Sequence, residues 1–325
     1  MRRRDFIKLI GGAAALPLPV RAQQPATTPV VGFLNTRASG EDPQVLAGFR
    51  QGLRDAGYVE GRNVTIEYRW AESHNNRLPE LAADLVGRQV AVIAANSQAT
   101  VAAKAATTTI PIVFITGADP VQVGFVASLN RPGGNLTGVT SLDTELGRKR
   151  VQLLHELLPK ASTIAALVNP TFPGSDNQTR QLREAAGTLG LQLHVLHASN
   201  EHEINTAFTD LARLQAKGLV VGNDPVFTAW SQQIAALAIR HAVPAIYEFR
   251  TFVAAGGLIG YGGSISELYR LLGIYTGRIL KGEKPADLPV QQATKVELYI
   301  NLKTAKALGL SVPPALQARA DEMIE

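Results

Sequence analysis

From Val30 onward the chain alternates short, continuously apolar runs rich in β-branched residues with longer amphipathic stretches. This rhythm constrains the fold more than any other feature. Runs such as VVGFL and VAVIAA, apolar at every position, suit strands covered on both faces. The spacing predicts strands at 30–34, 63–68, 90–95, 112–115, 163–168, 192–196, 218–221, 245–247 and 258–260. Helices are predicted at 43–56, 78–87, 98–107, 176–187, 203–215, 230–241 and 266–281. Strand–helix–strand order implies parallel sheets with right-handed crossovers, so the chain reads as α/β. The order runs through twice, over about 30–140 and about 163–263, with a helix at 146–158 between. No sequence repeat accompanies it, which points to two similar lobes and away from a solenoid.

The tail breaks the rhythm. KGEKPADLP is a polar turn, QQATKVELYINL a strand and SVPPALQARADEMIE a last short helix. Such a tail crosses back between the lobes and makes at least one of them discontinuous. The expected division is 28–143 with about 264–283 for the N-terminal lobe, and 144–263 with about 284–325 for the C-terminal lobe.

Composition narrows the partners. The 325 residues include 32 Lys and Arg against 27 Asp and Glu, for a net charge of +5. Arg2, Arg3, Arg4, Lys8 and Arg21 lie in the first 22 residues beside a single acid, Asp5, which leaves 27 bases against 26 acids in the body. A near-neutral body gives no electrostatic reason to bind nucleic acid. With 46% apolar and 18% charged residues the chain can build two cores and is not a disordered one. Cysteine is absent, which excludes disulfides, thiolate zinc sites, cysteine nucleophiles and a lipid-modified N-terminal cysteine.

The first 22 residues have the three-part layout of an export signal: a basic cluster, an apolar run over 6–20, and Val20-Arg21-Ala22, with cleavage expected after Ala22. Pro17 and Pro19 interrupt the apolar run, which is too short to span a bilayer permanently. Arg3-Arg4-Asp5-Phe6-Ile7-Lys8 further resembles a twin-arginine leader. Export by either route predicts a periplasmic protein.

In open parallel sheets, ligands bind beyond the carboxyl ends of the strands. The apolar runs here end repeatedly in polar residues: Asn35, Asn96-Ser97, Thr116 with Asp119, Asn169, Asn223-Asp224, Glu248 and Tyr261. Amides and hydroxyls both donate and accept hydrogen bonds, so a cleft lined by them suits a small polar solute. Asn, Asp and Ser after a strand also form turns and cap helices, and Ser97 fits a cap before the helix at 98–107. Recurrence in both halves is what favours binding. Asp224 and Glu248 are the acids at strand ends in the second half, suited to a ligand ammonium or to an interlobe contact. Phe33, Tyr247, Phe249, Tyr261 and Trp230 are candidates to stack on a flat ligand, although core packing is the commoner fate of aromatic residues.

The glycine clusters at 131–140 and 254–263 are neither a GxGxxG after the first strand nor a phosphate loop, and read as turns where the chain crosses between lobes. No HExxH, repeated histidine spacing or GxSxG elbow occurs, so neither a metal nor a catalytic residue is expected.

With these features in view, the chain resembles the exported solute-binding proteins of ABC transporters, in the type I periplasmic-binding-protein superfamily. Within it the match is to the bacterial ABC substrate-binding family that includes tryptophan and tyrosine binders. The resemblance rests on VGFLN with FRQGLRDAGYVEGRNVTIEYRWAE (32–72), TGADPVQVGFVASLNRPGGNLTGVT (116–140), ELGRKRVQLLHELLP (145–159), LVNP (167–170), AAGGLIGYGG (254–263) and the tail at 277–310. It implies two doubly wound parallel-sheet lobes joined by interlobe hinge strands. It also implies a cleft that closes on one small solute (an amino acid, an aromatic acid or a related carboxylate) and a monomer that docks to an ABC permease in the inner membrane. By that resemblance the first lobe contributes Asn35, Asn96, Ser97, Thr116 and Asp119. The second contributes Asn169, Asn223, Asp224, Glu248 and Tyr261. No cofactor is implied, and the missing cysteine implies a freely diffusing protein, not a lipoprotein. A sensor feeding a signalling receptor and a periplasmic enzyme on the same fold are the rival expectations. A DNA-binding regulator of the superfamily would need a helix-turn-helix where the leader stands.

Overall fold

The computed structural model describes residues 28–40, 43–141 and 143–325. The export leader read at 1–22 lies outside the described residues. Two sheets organise the chain. The first takes its strands from the opening third: β1 (Val30–Asn35), β2 (Thr65–Trp70), β3 (Val92–Asn96), β4 (Ile112–Thr116) and β5 (Leu136–Thr140). The second is built from β6 (Thr163–Val168), β7 (Gln192–His197), β8 (Leu219–Val221), β9 (Ala245–Tyr247) and β10 (Ile259–Gly262). The chain then returns to place β11 (Gln291–Gln292) on the first sheet, before β12 (Glu297–Asn301) and β13 (Glu322–Ile324) complete the second. The first sheet runs β11-β5-β4-β3-β1-β2 and the second β13-β12-β10-β9-β8-β6-β7. Every pairing is parallel except that of β10 with β12, as crossover helices on both faces require.

Those helices are α1 (Pro43–Asp55), α2 (Leu78–Gly87) and α3 (Ser97–Ala106) in the first part of the chain. In the second part they are α4 (Asp143–Leu157), α5 (Ser175–Thr188), α6 (Glu201–Arg213), α7 (Pro225–Ala229), α8 (Ser231–Arg240) and α9 (Arg250–Ala254). Then come α10 (Ile265–Leu280), α11 (Leu302–Ala307) and α12 (Pro314–Gln317). Among the described residues no helix is long and apolar enough to cross a membrane.

The continuous apolar runs behave as their composition demands: β3, β4 and β6 bury Val92, Ile93, Val113, Phe114, Ile164 and Leu167 on both faces. Four differences from the sequence-based expectations are informative. LTGVT, read as a turn, is β5, a fully buried strand. QQATKVELYINL, read as one strand of the second lobe, is divided, with β11 beside β5 and β12 beside β10. Residues from 284 to 292 therefore belong beside the first sheet, where Leu288 accepts a hydrogen bond from Thr137 Oγ1 at 2.6 Å. The C-terminal helix is only the short α12, followed by the edge strand β13.

One helix reaches across the division. α10 follows β10 of the second sheet but packs along α1, and this docking depends on small residues. A Cβ on Gly52 would lie 1.8 Å from Arg270 O, and one on Gly273 would lie 2.2 Å from Phe49 O. The two backbones approach at a distance only glycine permits. Arg270 fastens the same seam by an ion pair with Asp55 at 2.6 Å. The result places Tyr269, 2% exposed, against the carboxyl ends of β1 and β3.

Candidate functional site

The carboxyl ends of the two sheets face each other across a cavity of about 370 Å³ of unfilled space, part of it open to solvent. From the first sheet it is walled by Arg37, Asn96, Ser97, Ile115, Thr116 and Gly117, and from the second by Asn223, Asp224, Thr228, Glu248 and Phe249. α10 adds Ile265, Leu268 and Tyr269, and Ser141 stands at the crossing after β5. Apolar walls with a few convergent polar groups suit one small molecule.

The first-lobe wall is a connected network. Asn35 Nδ2 donates to Tyr269 Oη at 2.9 Å, and Arg37 Nη1 donates to the same oxygen at 2.8 Å. Asn35 Oδ1 accepts from Arg37 N at 3.1 Å and from Asn96 Nδ2 at 3.1 Å. Asn96 also donates to Thr36 Oγ1 at 2.8 Å. Ser97 Oγ donates to Thr116 Oγ1 at 3.3 Å, and Thr116 Oγ1 in turn accepts from Ala118 N at 3.1 Å. Asn96 is the N-cap residue of α3, yet its side chain makes no capping bond, because it is spent on Asn35 and Thr36. α3 therefore begins on the cavity wall with no side-chain cap on its first amides.

On the opposite wall Asp224 is fully occupied. Its Oδ1 caps α7, accepting from Val226 N at 2.7 Å and Phe227 N at 3.4 Å. Its Oδ2 accepts from Gln98 Nε2 of the first lobe at 2.6 Å. Burial pushes the Asp224 carboxyl up to about 6, against the pull of the Asn169 amide, Gln98 and the two α7 amides. The Asn169 Nδ2 group stands beside this carboxylate without reaching hydrogen-bond geometry. The Gln98–Asp224 bond bridges the lobes, as does a second contact at the rim from Asn75 Nδ2 to Thr171 Oγ1 at 3.3 Å.

The structure thus brings together on the cavity wall Asn96, Ser97, Thr116, Asn223, Asp224 and Glu248, all selected from strand ends. Four others lie off it. Asn35 is fully buried one layer behind, holding Tyr269 and Asn96. Asp119 Oδ1 accepts from Val121 N at 2.8 Å and closes its own turn. Asn169 Oδ1 does the same for Thr171 N at 3.0 Å. The Tyr261 ring packs on the core of the second lobe, and its carbonyl accepts from Arg150 Nε at 2.8 Å. Of the aromatic candidates Phe249 lines the cavity, whereas Phe33 sits among Phe49, Tyr68 and Trp70, and Tyr247 stacks on Phe252 at 4.8 Å. Trp230 packs against the core.

Sequence reasoning missed Arg37 and Tyr269. Arg37 carried a usable signal, a lone cation two residues past a buried strand. Tyr269 carried none, because only the docking of α10 onto the other lobe brings it to the site.

The model of the ABC transporter substrate binding protein family matches residues 40–324. The chain belongs to that family. Among its relatives is a tyrosine-binding protein of Clostridioides difficile (strain R20291), 28% identical over 267 residues, which span 81% of this chain and 76% of that protein. Among solved structures, a conserved domain protein from Vibrio cholerae superposes with a TM-score of 0.85 at 26% identity, over 91% of this chain and 99% of that one. An ABC domain from Streptococcus pneumoniae in complex with L-Trp gives 0.82 at 24% identity, over 91% and 100%. A ligand-free, open substrate binding protein from Clostridium difficile gives 0.62, also at 24%, over 91% and 99%. The chain has the type I periplasmic binding fold, and its family is by description one of ABC transporter substrate binding proteins.

Proposed function

We propose that the protein is the extracytoplasmic solute-binding component of an ABC importer. It captures one small polar solute (an amino acid, an aromatic acid or a related carboxylate) by closing two lobes on it, and hands it to a permease in the inner membrane. The observation that carries this reading is the cavity between the strand ends of both sheets, bridged directly by Gln98 and Asp224. A ligand there touches both lobes only when they are closed, so its binding energy favours closure over the open form. The relatives that bind tyrosine and L-Trp make these two amino acids the first solutes to try. Phe249, Ile115, Ile265 and Leu268 offer an apolar wall to such a side chain. Export through the leader at 1–22 places the protein in the periplasm.

A thermal-shift screen of amino acids and aromatic carboxylates on the protein beginning at residue 23 tests this. A ligand at about a hundred times its Kd adds about 2.7 kcal/mol to stability, a rise of several degrees in Tm. L-Trp, L-Tyr or a close analogue is expected to give that rise with one molecule bound per chain. Absence of any such solute, or turnover of one, refutes the reading.

A further inference from the structure

Asp224 stands where the two lobes meet, and its oxygens are divided between them. Oδ1 is held inside the second lobe by the Val226 and Phe227 amides at the start of α7. Oδ2 is reached from the first lobe by Gln98 Nε2 at 2.6 Å, and the residue as a whole is 1% exposed. Parting the lobes treats the two oxygens differently. Oδ1 keeps its α7 amides, which favour the charged form, while Oδ2 exchanges Gln98 for water. With the lobes bridged the carboxyl is sealed from solvent, and burial outweighs its hydrogen bonds and pushes it up to about 6 from an ordinary 3.8.

The bridge partner suits both protonation states. Gln98 Nε2 donates to the carboxylate, and Gln98 Oε1, buried without a hydrogen bond, is the acceptor that a protonated Oδ2 needs once the carboxamide turns over. Facing Asp224 across the cavity are Arg37 after β1, Tyr269 on α10 and Glu248 after β9. α3 turns Gln98 toward it, the end of β6 brings Asn169, and α5 turns Gln178 toward the adjoining Asn223 carbonyl, all uncharged. α4 brings Arg150 to β10, where it donates to Tyr261 O at 2.8 Å. Across the cavity, the Arg37 cation favours the carboxylate and the Glu248 acid favours its protonated form.

We propose that the Gln98–Asp224 bridge is a proton-sensitive latch on the cleft: closing the lobes takes up a proton at Asp224 Oδ2, so acid favours the closed, solute-retaining form and neutral pH favours release. This rests on the solute-binding reading above and adds a regulation of the same cleft. The proton is held more tightly with the lobes closed than with them apart. Closure is therefore assisted in acid, and the assistance is lost as pH rises through about 6. From a carboxyl at about 6 closed and 3.8 open, the closed-to-open ratio is about tenfold greater at pH 5 than at pH 7.5.

Calorimetry with L-Trp and L-Tyr at pH 5 and pH 7.5 tests this, beside small-angle scattering of the solute-free protein at the same two values. Both amino acids keep one charge state over that range, so a change in affinity belongs to the protein. The wild-type protein is expected to bind up to about tenfold more tightly at pH 5, to be more compact there without solute, or both. Asp224→Asn fixes an uncharged group that donates to Gln98 Oε1, and is expected to erase the pH difference. Gln98→Glu sets two carboxyls against each other that must share a proton to close. It is expected to widen the difference and to open the solute-free protein at pH 7.5, which a merely structural bridge would not do. Glu248→Gln removes the other acid of the cavity and is expected to keep the difference.

A wild-type protein whose affinity stays within twofold and whose compactness does not change between the two pH values overturns the latch. So does a pH difference that Asp224→Asn leaves intact or that Glu248→Gln removes. In each case binding of the amino acid leaves the solute-binding reading standing. If neither amino acid binds, the thermal screen judges that reading, and scattering judges the latch by itself. Compaction in acid that Asp224→Asn abolishes supports it, and no compaction overturns it.

Discussion

Gly117 offers the sharpest mechanical test of closure. It follows β4 on the first lobe, and a Cβ built on it would lie 2.4 Å from Asn223 Nδ2, 2.6 Å from Oδ1 and 2.7 Å from Cγ, across the cleft on the second lobe. That overlap approaches 1 Å relative to ordinary contact of about 3.4 Å between non-bonded heavy atoms. Asn223 has little room to retreat along its backbone. A Cβ on the preceding Gly222 would meet Gln178 Oε1 at 2.2 Å, and Gln178 Nε2 donates to Asn223 O at 3.3 Å. Gly117 lies outside the left-handed region, so alanine fits its backbone.

Overpacking of this kind costs about 1–3 kcal/mol. In Gly117→Ala the cost falls on the closed form alone, because residues 117 and 223 belong to different lobes. It therefore weakens solute binding by about 5–150-fold. Calorimetry measures the affinity, and a thermal melt of the ligand-free protein supplies the control, whose midpoint is expected to stay put. An affinity within twofold of wild type would show that the Asn223 carboxamide swings clear and that this pair does not oppose closure. A ligand-free melting point lowered by several degrees would show that the glycine serves the first lobe's own packing. Either result refutes the reasoning.

Other consequences can be checked with similar tools. Asp224, with a carboxyl at about 6 in the folded protein against an ordinary 3.8, binds more protons folded than unfolded between about pH 4 and 6. Its contribution to stability therefore falls as pH rises through that window, by about 3 kcal/mol in all, and stays level above it. Urea titrations from pH 4 to 7 are expected to show Asp224→Asn losing that slope, the new amide pairing with Gln98 Oε1, which has no partner now. An unchanged slope refutes the assignment. Gln98→Ala deletes the interlobe bond to Asp224 and is expected to weaken binding by several-fold while scattering shows a more open ligand-free protein. Gly52→Ala drives a Cβ into Arg270 O and is expected to destabilise the whole protein by about 3 kcal/mol or more, read by denaturant midpoint.

The parts of this fold that were legible in the sequence are those decided by burial on both sides. Strands such as β3 and β4 leave no polar position to confuse with a helix or loop, and their ends locate the cavity at once. β5 was not legible because its glycine and threonines answer to a neighbour: a Cβ on Gly138 would lie 2.1 Å from Phe114 O, and Thr137 bonds the returning tail at Leu288. β13 is a three-residue edge strand among polar residues, and only its pairing with β12 defines it. In the site, Asn96 and Asp119 look alike as polar residues after apolar runs. One is turned into a network beside the cavity and the other is consumed by its own turn, a distinction that depends on the loop's path. Arg37 was on view but unweighted, since a single cation gains meaning only when its lack of a partner is seen. Tyr269 depended on a long-range docking that no local pattern encodes.

Solute capture requires the lobes to move together over the ligand, and a distance measured across the mouth addresses that most directly. The chain has no cysteine, so Asn76→Cys with Asp176→Cys supplies the only two thiols for spin labels. They flank the rim contact between Asn75 and Thr171. Pulsed electron paramagnetic resonance is predicted to give a longer, broader distance without solute and a single shorter one when the solute found in the thermal screen is saturating. Identical distributions with and without a solute that calorimetry shows to be bound would contradict it.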